Sequence, residues 1–212
     1  MSRIIGVDEA GKGDYFGPLV IAGVFVDSAV EEKLKELKVR DSKLLTDKKA
    51  LEIALKIKEI AVHSVVVVNP DRYNELYSKI KNLNKLLAWG HARVIENLLE
   101  KVECDYAISD KFGEESRIKE ALMEKGRKIE MRQETGAEKY LSVAAASVLA
   151  RAGFLEGLKK LSEEAGMELP KGATHVEEAG RRFIREKGAG ALAKFAKVHF
   201  KTTKMLLQEK ML

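Results

Sequence analysis

Two adjacent carboxylates, Asp8 and Glu9, follow an apolar run near the start of the chain. They are the first residues of a glycine-rich string, Asp8-Glu9-Ala10-Gly11-Lys12-Gly13-Asp14-Tyr15-Phe16-Gly17-Pro18. Neighbouring carboxylates repel each other unless a cation lies between them, and oxygen ligands of this kind suit Mg²⁺ or Mn²⁺. The glycines that follow let backbone N–H groups approach a ligand closely. The string therefore predicts a divalent-metal site beside a loop that contacts a ligand through its backbone.

Two other interpretations of this string compete with a metal site. Gly6, Gly11 and Lys12 fit the spacing of a phosphate-binding loop, but the next residue should be Ser or Thr, and here it is Gly13. Such a loop would also place the two carboxylates against the phosphates. The plainest alternative is a glycine-rich hairpin turn whose acids are solvated.

Hydrophobic patterning indicates the elements that must position these groups. Apolar runs at 3–8 and 19–26 flank the glycine-rich turn and predict an antiparallel hairpin. Further strands are predicted over 63–68, 106–109 and 128–132, and helices over 29–37, 47–60, 82–102, 117–125 and 138–160, followed by short helices. A hairpin followed by alternating strands and helices predicts an α/β fold with a mixed sheet, in one domain over 1–212.

Composition narrows the class of protein. The 212 residues are 45% hydrophobic and 33% charged, which excludes a disordered chain. Cys104 is the only cysteine, which excludes a disulfide framework and a Cys-based zinc site and leads us to expect a reducing, cytoplasmic location. No stretch approaches the roughly 20 apolar residues of a membrane span, so we expect no membrane partner. The net charge of +5 permits a nucleic-acid partner without requiring one.

Motifs along the whole chain resemble the type 2 ribonucleases H, and the Gly13–Pro18 part of the string resembles ribonuclease HIII rather than ribonuclease HII. The other motifs are Asp41-Ser42-Lys43, Asn82-Leu83-Asn84 with Leu87-Ala88 and Gly90-His91, Glu138 followed by Val143-Ala144-Ala145-Ala146-Ser147-Val148-Leu149-Ala150-Arg151, and Ala196-Lys197-Val198-His199-Phe200-Lys201. The resemblance implies a ribonuclease H-like α/β fold, with a mixed central sheet flanked by helices and additional C-terminal helices.

The same resemblance implies that Asp8, Glu9, Asp110 and Glu138 are both the catalytic residues and the metal ligands, with Glu134 one turn from Glu138 as the alternative. Phosphodiester hydrolysis needs an activated water, in-line geometry and stabilisation of the leaving oxygen, and two divalent ions about 3.5–4 Å apart supply all three. We therefore expect two Mg²⁺ or Mn²⁺ ions during catalysis. Asp110 is predicted at the end of a strand that lies beside the first strand, and Glu138 at the start of the long helix.

Recognition of RNA depends on the ribose 2′-hydroxyl, which distinguishes RNA from DNA. The resemblance implies that the backbone of Gly11-Lys12-Gly13 contacts this hydroxyl. Lys43 is a candidate contact for a phosphate, and the alternative is a solvated surface lysine. Lys12, Tyr15 and Ser147 are further candidates for substrate binding. For His91 and His199, a packing role and a role at the site both stay open.

The function implied is a metal-dependent endonuclease that hydrolyses the RNA strand of RNA/DNA hybrids and leaves 5′-phosphate and 3′-hydroxyl ends. The alternatives are a ribonuclease HII-type enzyme that incises at single ribonucleotides in duplex DNA, and an inactive hybrid-binding module. Ribonuclease HIII usually also carries an N-terminal substrate-binding domain that resembles the TATA-binding protein fold. This sequence begins at the catalytic domain, either because the protein lacks that domain or because the sequence is trimmed, so we expect weak hybrid binding. We expect a monomer with no obligate protein partner.

Overall fold

One mixed sheet of five strands runs through the part of the chain that the computed structural model describes, residues 3–39 and 42–208. The strands are β1 (Ile4–Ala10), β2 (Leu19–Val26), β3 (His63–Val68), β4 (Tyr106–Asp110) and β5 (Glu130–Glu134), in the order β3-β2-β1-β4-β5. β1 pairs antiparallel with β2 and parallel with β4, and β4 pairs parallel with β5. The predicted hairpin and the mixed sheet are confirmed. Asp41 of the Asp-Ser-Lys motif lies outside the described residues.

Eight helices are described alongside the sheet. They are α1 (Ser28–Glu36), α2 (Asp47–Ile60), α3 (Pro70–Ile80), α4 (Leu83–Leu99), α5 (Glu115–Ala121), α6 (Leu141–Ala165), α7 (Glu177–Lys187) and α8 (Lys201–Gln208). α3 is not among the helices predicted from the sequence, although Pro70 in its first turn is a common helix-start signal. The long helix begins later than predicted. Gly136 has a φ of 70° and leads into a short 3-10 turn at Ala137–Lys139, so α6 begins only at Leu141.

Residue contacts divide the chain into two compact units. The first contains 1–10, 20–66 and 82–153, and the second contains 11–19, 67–81 and 154–212. The first unit holds most of the sheet, with α4 and the first half of α6, and its core includes the fully buried side chains of Ile5, Val7 and Ile108. The second holds α3, α7, α8 and the glycine-rich loop. The single domain over 1–212 stays a prediction.

α6 corrects the expectation that no stretch is apolar enough to approach a membrane span. By length and composition its 25 residues could cross a membrane, with a mean hydropathy of 1.4 in the most apolar window. However, 67% of that window is buried inside the protein, as in the core helix of a soluble protein. The buried residues of this helix include a run of small side chains, with Ala144, Ala145, Ala146 and Ala150 each at most 1% exposed.

The approach of α6 to the sheet depends on Gly6 in β1. A Cβ atom at this position would lie 2.2 Å from the carbonyl carbon of Ser142 and 2.3 Å from the backbone nitrogen of Val143. Both atoms belong to the backbone at the start of α6, so neither can move without shifting the helix. Position 6 therefore requires glycine for packing rather than for an unusual backbone angle.

We predict that Gly6→Ala lowers the free energy of unfolding by about 3 kcal/mol or more, because the added methyl group overlaps backbone atoms of α6. Gly190→Ala is the matched control, since a Cβ there meets nothing within 4 Å, and its effect should stay within about 0.5 kcal/mol. Urea unfolding followed by circular dichroism measures both. Equal stability of the two variants would contradict this account of the packing.

Candidate active site

Two of the predicted catalytic acids lie side by side because of the register of the sheet. β1 and β4 are parallel, and Val7 pairs with Ser109, so the next residues, Asp8 and Asp110, continue the two strands at the same level. Asp8 is 9% exposed, whereas Asp110 is only partly buried. The sequence prediction that Asp110 ends a strand beside the first strand is confirmed.

Asp8 is a carboxylate in an unfavourable environment. Burial, followed by the charge of Glu9, raises its pKa from 3.8 to about 7, and the charge of Glu138 acts in the same direction. The Oδ1 atom accepts a 2.8 Å hydrogen bond from the Glu9 N–H, and Ser147 also hydrogen bonds to the carboxylate; both bonds lower the pKa. These two bonds only partly offset the cost of the buried charge, so a bound cation would stabilise the ionised form.

Glu9 is held by a histidine from α4. The Nε2 atom of His91 lies 2.9 Å from Oε2 of Glu9, and the two side chains are 1% and 4% exposed. The ring of His91 packs against Phe112 with centroids 4.6 Å apart. His91 therefore contacts a predicted catalytic acid directly, and of the two roles left open for it this contact favours the one at the site. The available signal was the Gly90-His91 pair on an amphipathic helix.

Glu138 lies in the 3-10 turn before α6, which corrects its predicted place at the start of the helix. A hydrogen bond to its own backbone, together with the Lys43 ammonium 3.0 Å from Oε1, holds the pKa of Glu138 below its usual range. The charge of Glu9 opposes this shift, so the two carboxylates interact electrostatically.

The alternative acid, Glu134, has different partners. It lies on β5 opposite Asp110 rather than one helical turn from Glu138. Its carboxylate accepts hydrogen bonds of 3.1 Å from the Tyr140 hydroxyl and forms an ion pair of 2.8 Å with Lys139. Glu138 is therefore the better candidate for the fourth acid.

Asp110 is oriented by the turn that carries Glu138. Its Oδ1 accepts hydrogen bonds from the backbone N–H groups of Gly136 at 2.9 Å and Ala137 at 3.3 Å. The left-handed backbone at Gly136 makes this turn possible, because a φ of 70° strains most other residues. One glycine thus links the orientation of Asp110 to the position of Glu138.

The donor set fits a hard divalent cation, since carboxylate oxygens are the preferred protein ligands of Mg²⁺ and Mn²⁺. Within residues 3–39 and 42–208, however, no three His, Cys, Asp or Glu side chains are grouped so that they could hold a metal ion. Glu9, Asp110 and Glu138 are engaged instead by His91, backbone N–H groups and Lys43. Their role as metal ligands, with Asp8, stays a prediction.

Two predicted substrate contacts lie near these acids. Lys43 is 72% exposed, so its ammonium is accessible beside Glu138. Ser147 is only 4% exposed, and its hydroxyl hydrogen bonds to the Ser42 hydroxyl at 2.6 Å and to Asp8. Ser147 therefore supports Asp8, and its contact with substrate stays a prediction.

The glycine-rich loop belongs to the second unit. Gly11 is buried with a φ of 85°, and a Cβ atom there would lie 2.2 Å from the carbonyl oxygen of Pro18. Lys12 and Gly13 are exposed, and a Cβ at Gly13 would meet nothing within 4 Å. The loop therefore presents accessible backbone at Gly13, as the sequence analysis expects of a ligand-binding loop.

Two aromatic residues of the second unit have packing roles. Tyr15 has no exposed surface, and its hydroxyl lies 2.9 Å from Oγ1 of Thr203, so its side chain packs inside this unit, and its role in substrate binding stays a prediction. His199 stacks on Tyr77 with ring centroids 4.1 Å apart and lies edge-on to Phe200. The packing interpretation left open for His199 is the one that these contacts support.

We predict that Asp8→Asn stabilises the metal-free protein at pH 8 by roughly 2–4 kcal/mol, because the parent must bury a charge there. The folded protein binds the Asp8 proton more tightly than the unfolded chain does. Below pH 3.8 Asp8 is protonated in both states and its contribution to the free energy of unfolding is complete. This contribution is lost as the pH rises to about 7, because the unfolded chain ionises first. Urea unfolding in EDTA at pH 4 and pH 8 measures the difference. The exposed Asp71→Asn is the control, and lower stability of Asp8→Asn at pH 8 would refute the account.

Comparison with known proteins agrees with this architecture. A family model described as Ribonuclease HII matches residues 5–203. Proteins named Ribonuclease HIII from Protochlamydia amoebophila (strain UWE25) and Chlamydia pneumoniae are 45% and 48% identical over 204 and 202 residues, which cover 96% and 93% of this chain and 68% of each relative.

Solved structures of proteins named RNase HIII or RNase H3 are also similar to this chain. Bst-RNase HIII in complex with Mn²⁺ superimposes with a TM-score of 0.91 at 35% identity, over 98% of this chain and 70% of that one. Aquifex aeolicus RNase H3 matches with a TM-score of 0.78 at 32% identity, over 92% of this chain and 71% of that one. The chain therefore belongs to the ribonuclease HII family of endoribonucleases, in which it is similar to the enzymes named ribonuclease HIII.

Proposed function

We propose that this chain is a divalent-metal-dependent endonuclease that hydrolyses the RNA strand of RNA/DNA hybrids and leaves 5′-phosphate and 3′-hydroxyl ends. The observation that carries the proposal is the environment of Asp8. Its carboxylate is buried next to the charges of Glu9 and Glu138, which raises its pKa to about 7. A site that keeps mutually repelling carboxylates together in this way is suited to binding divalent cations.

Asp8, Glu9, Asp110 and Glu138 are the residues that would hold two Mg²⁺ or Mn²⁺ ions. The Mn²⁺ in the similar Bst-RNase HIII structure supports this choice of metals. When bound, such ions supply an activated water and neutralise charge on the leaving oxygen. Attack of the water on phosphorus, with departure of the 3′ oxygen, gives the proposed ends.

The protein groups around these acids have separate tasks in the proposal. His91 orients Glu9 through the 2.9 Å hydrogen bond, and Ser147 orients Asp8. Lys43 lies 3.0 Å from Glu138 and is largely exposed, so it is the candidate contact for a substrate phosphate. A lysine bound to a carboxylate can exchange that partner for a phosphate when the carboxylate binds a cation.

Recognition of the RNA strand is assigned to the backbone of Gly11-Lys12-Gly13. Gly13 is exposed and has open space where a side chain would be, so a ribose can approach its peptide groups. Because a 2′-hydroxyl both donates and accepts hydrogen bonds, backbone groups are sufficient to distinguish RNA from DNA. We also propose a monomeric enzyme that acts in the cytoplasm, where its single thiol, Cys104, would stay reduced.

We predict that Asp8→Asn and Asp110→Asn each lower cleavage of an RNA/DNA hybrid by more than about 100-fold, since even the outer partners of metal ligands are worth 10- to 100-fold. Hybrid binding should persist, because phosphate contacts supply most of the affinity. Cleavage is measured on a labelled hybrid with Mg²⁺ or Mn²⁺, and EDTA should abolish it. Asp71→Asn is the control, and substantial activity in either active-site variant would refute the assignment.

A second prediction separates the two enzyme classes. The chain should cut a continuous RNA/DNA hybrid more efficiently than a DNA duplex that contains one ribonucleotide. Both substrates are compared at the same metal concentration by their kcat/KM values, and end analysis should give 5′-phosphate and 3′-hydroxyl products. Equal or better cleavage of the single-ribonucleotide duplex would favour the ribonuclease HII-type alternative, and hybrid binding without cleavage would favour the inactive module.

A further inference from the structure

Lys197 is a buried lysine to which the proposed chemistry assigns no task. Its side chain has no exposed surface, and its Nζ atom donates hydrogen bonds to the carbonyl oxygens of Asp14 at 2.9 Å and Gly17 at 2.6 Å. Burial lowers the pKa of this amine from 10.5 to about 7. A buried amine is costly, and an apolar side chain of similar length would fill the space without that cost. The two hydrogen bonds are therefore the property that distinguishes lysine here.

Both acceptors belong to the glycine-rich loop, residues 11–17, which we call the recognition loop. The N–H of Asp14 donates to the carbonyl oxygen of Gly11 at 3.3 Å and closes a turn around Lys12 and Gly13. The carboxylate of Asp14 accepts a 2.6 Å hydrogen bond from the N–H of Gly172. Lys197 fixes the carbonyl of the same residue, so it holds the end of the turn that carries Gly13.

The segment that carries Lys197 is itself held rigidly. The side-chain amide of Asn74, on α3, donates to the carbonyl oxygens of Ala193 at 2.9 Å and Ala196 at 2.8 Å. Its oxygen accepts a 3.0 Å hydrogen bond from the N–H of Val198. Asn74 thus holds the backbone on both sides of Lys197. These bonds fix the position from which the Lys197 side chain extends to the recognition loop.

The recognition loop needs such support because of its glycines. Gly11 and Gly17, at its two ends, have φ values of 85° and 89°. These are conformations that glycine leaves at little cost. Without Lys197, the carbonyls of Asp14 and Gly17 would lose a buried hydrogen-bond donor and would be driven to turn toward other partners. Such a rotation would move the peptide groups of Gly13.

We propose that Lys197 is a positioning residue for RNA recognition: it holds the recognition loop in the conformation in which the backbone of Gly11-Lys12-Gly13 discriminates a ribose from a deoxyribose. The proposal rests on the proposed function, because that function assigns recognition of the 2′-hydroxyl to this loop. This role differs from general stabilisation of the fold, because loss of the Lys197 amine would lower the preference for RNA over DNA.

Lys197→Met tests the proposal, because methionine fills a similar volume but donates no hydrogen bond. Lys194→Met is the matched control, since it makes the same change at an exposed position in the same segment. Binding to an RNA/DNA hybrid and to a DNA duplex of the same sequence is measured by fluorescence anisotropy in EDTA, which separates recognition from catalysis. Melting temperatures are recorded for every variant.

We expect the parent and Lys194→Met to bind the hybrid more tightly than the DNA duplex. In Lys197→Met the ratio of the two affinities should fall about tenfold, which corresponds to the loss of one hydrogen bond. A lower melting temperature with an unchanged hybrid-to-duplex ratio would show that Lys197 only stabilises the fold and would overturn the proposal. A parent with no preference for the hybrid would instead contradict the recognition step of the proposed function, and this proposal with it.

Asn74→Ala covers the case in which Lys197→Met does not fold. This variant loosens the segment around Lys197 but keeps the amine, so we expect a smaller loss of hybrid preference in the same direction. An Asn74→Ala protein that folds, has a lower melting temperature and retains the full preference would overturn the proposal, since the base that positions Lys197 would then be irrelevant to recognition.

Discussion

The cost of burying the Asp8 carboxylate beside other carboxylates is the constraint on which the rest of the candidate site depends. Burial and the charge of Glu9 both oppose its ionisation, and the hydrogen bonds from the Glu9 N–H and Ser147 offset this only in part. The neighbouring acids have partners of their own: His91 contacts Glu9, and Lys43 contacts Glu138 and helps to hold the pKa of that carboxyl below its usual range. Each of these two acids is thus held by a side chain from another part of the fold, whereas Asp8 has only hydrogen bonds to offset the cost of its charge.

Buried polar groups in the second unit follow a related principle. Lys197 and Asn74 are placed against backbone carbonyl and N–H groups rather than against carboxylates, and they fix the loop 11–17 and the segment 193–198. In the first unit, polar burial holds charged side chains close together. In the second, it holds backbone groups in place, which the proposed recognition by a glycine-rich loop would require, because the glycines themselves contribute no side chain that could restrain the loop.

Local signals predicted the elements that carry Asp8, Glu9 and Asp110, since β1, β2 and β4 are apolar runs with sharp ends. The sequence could not place His91 next to Glu9, because that contact joins positions 82 residues apart and depends on how α4 packs. It misplaced Glu138 because the residues before α6 suit a helix, whereas Gly136 adopts a left-handed conformation. It could not show that Ser147 is buried against Asp8, since a hydroxyl on a helix gives no indication of its burial.

Small residues connect the packing of the first unit to its chemistry. Gly6 lets the backbone of α6 approach β1 to a distance that any side chain would prevent, and Asp8 follows two residues later on the same strand. α6 carries Ser147 six residues after its first residue, and the hydroxyl of Ser147 hydrogen bonds to both Asp8 and Ser42. A shift of α6 away from the sheet would remove a hydrogen bond from the most strongly perturbed carboxylate. The small side chains of β1 and α6 therefore help to set the electrostatics of the site, as well as its stability.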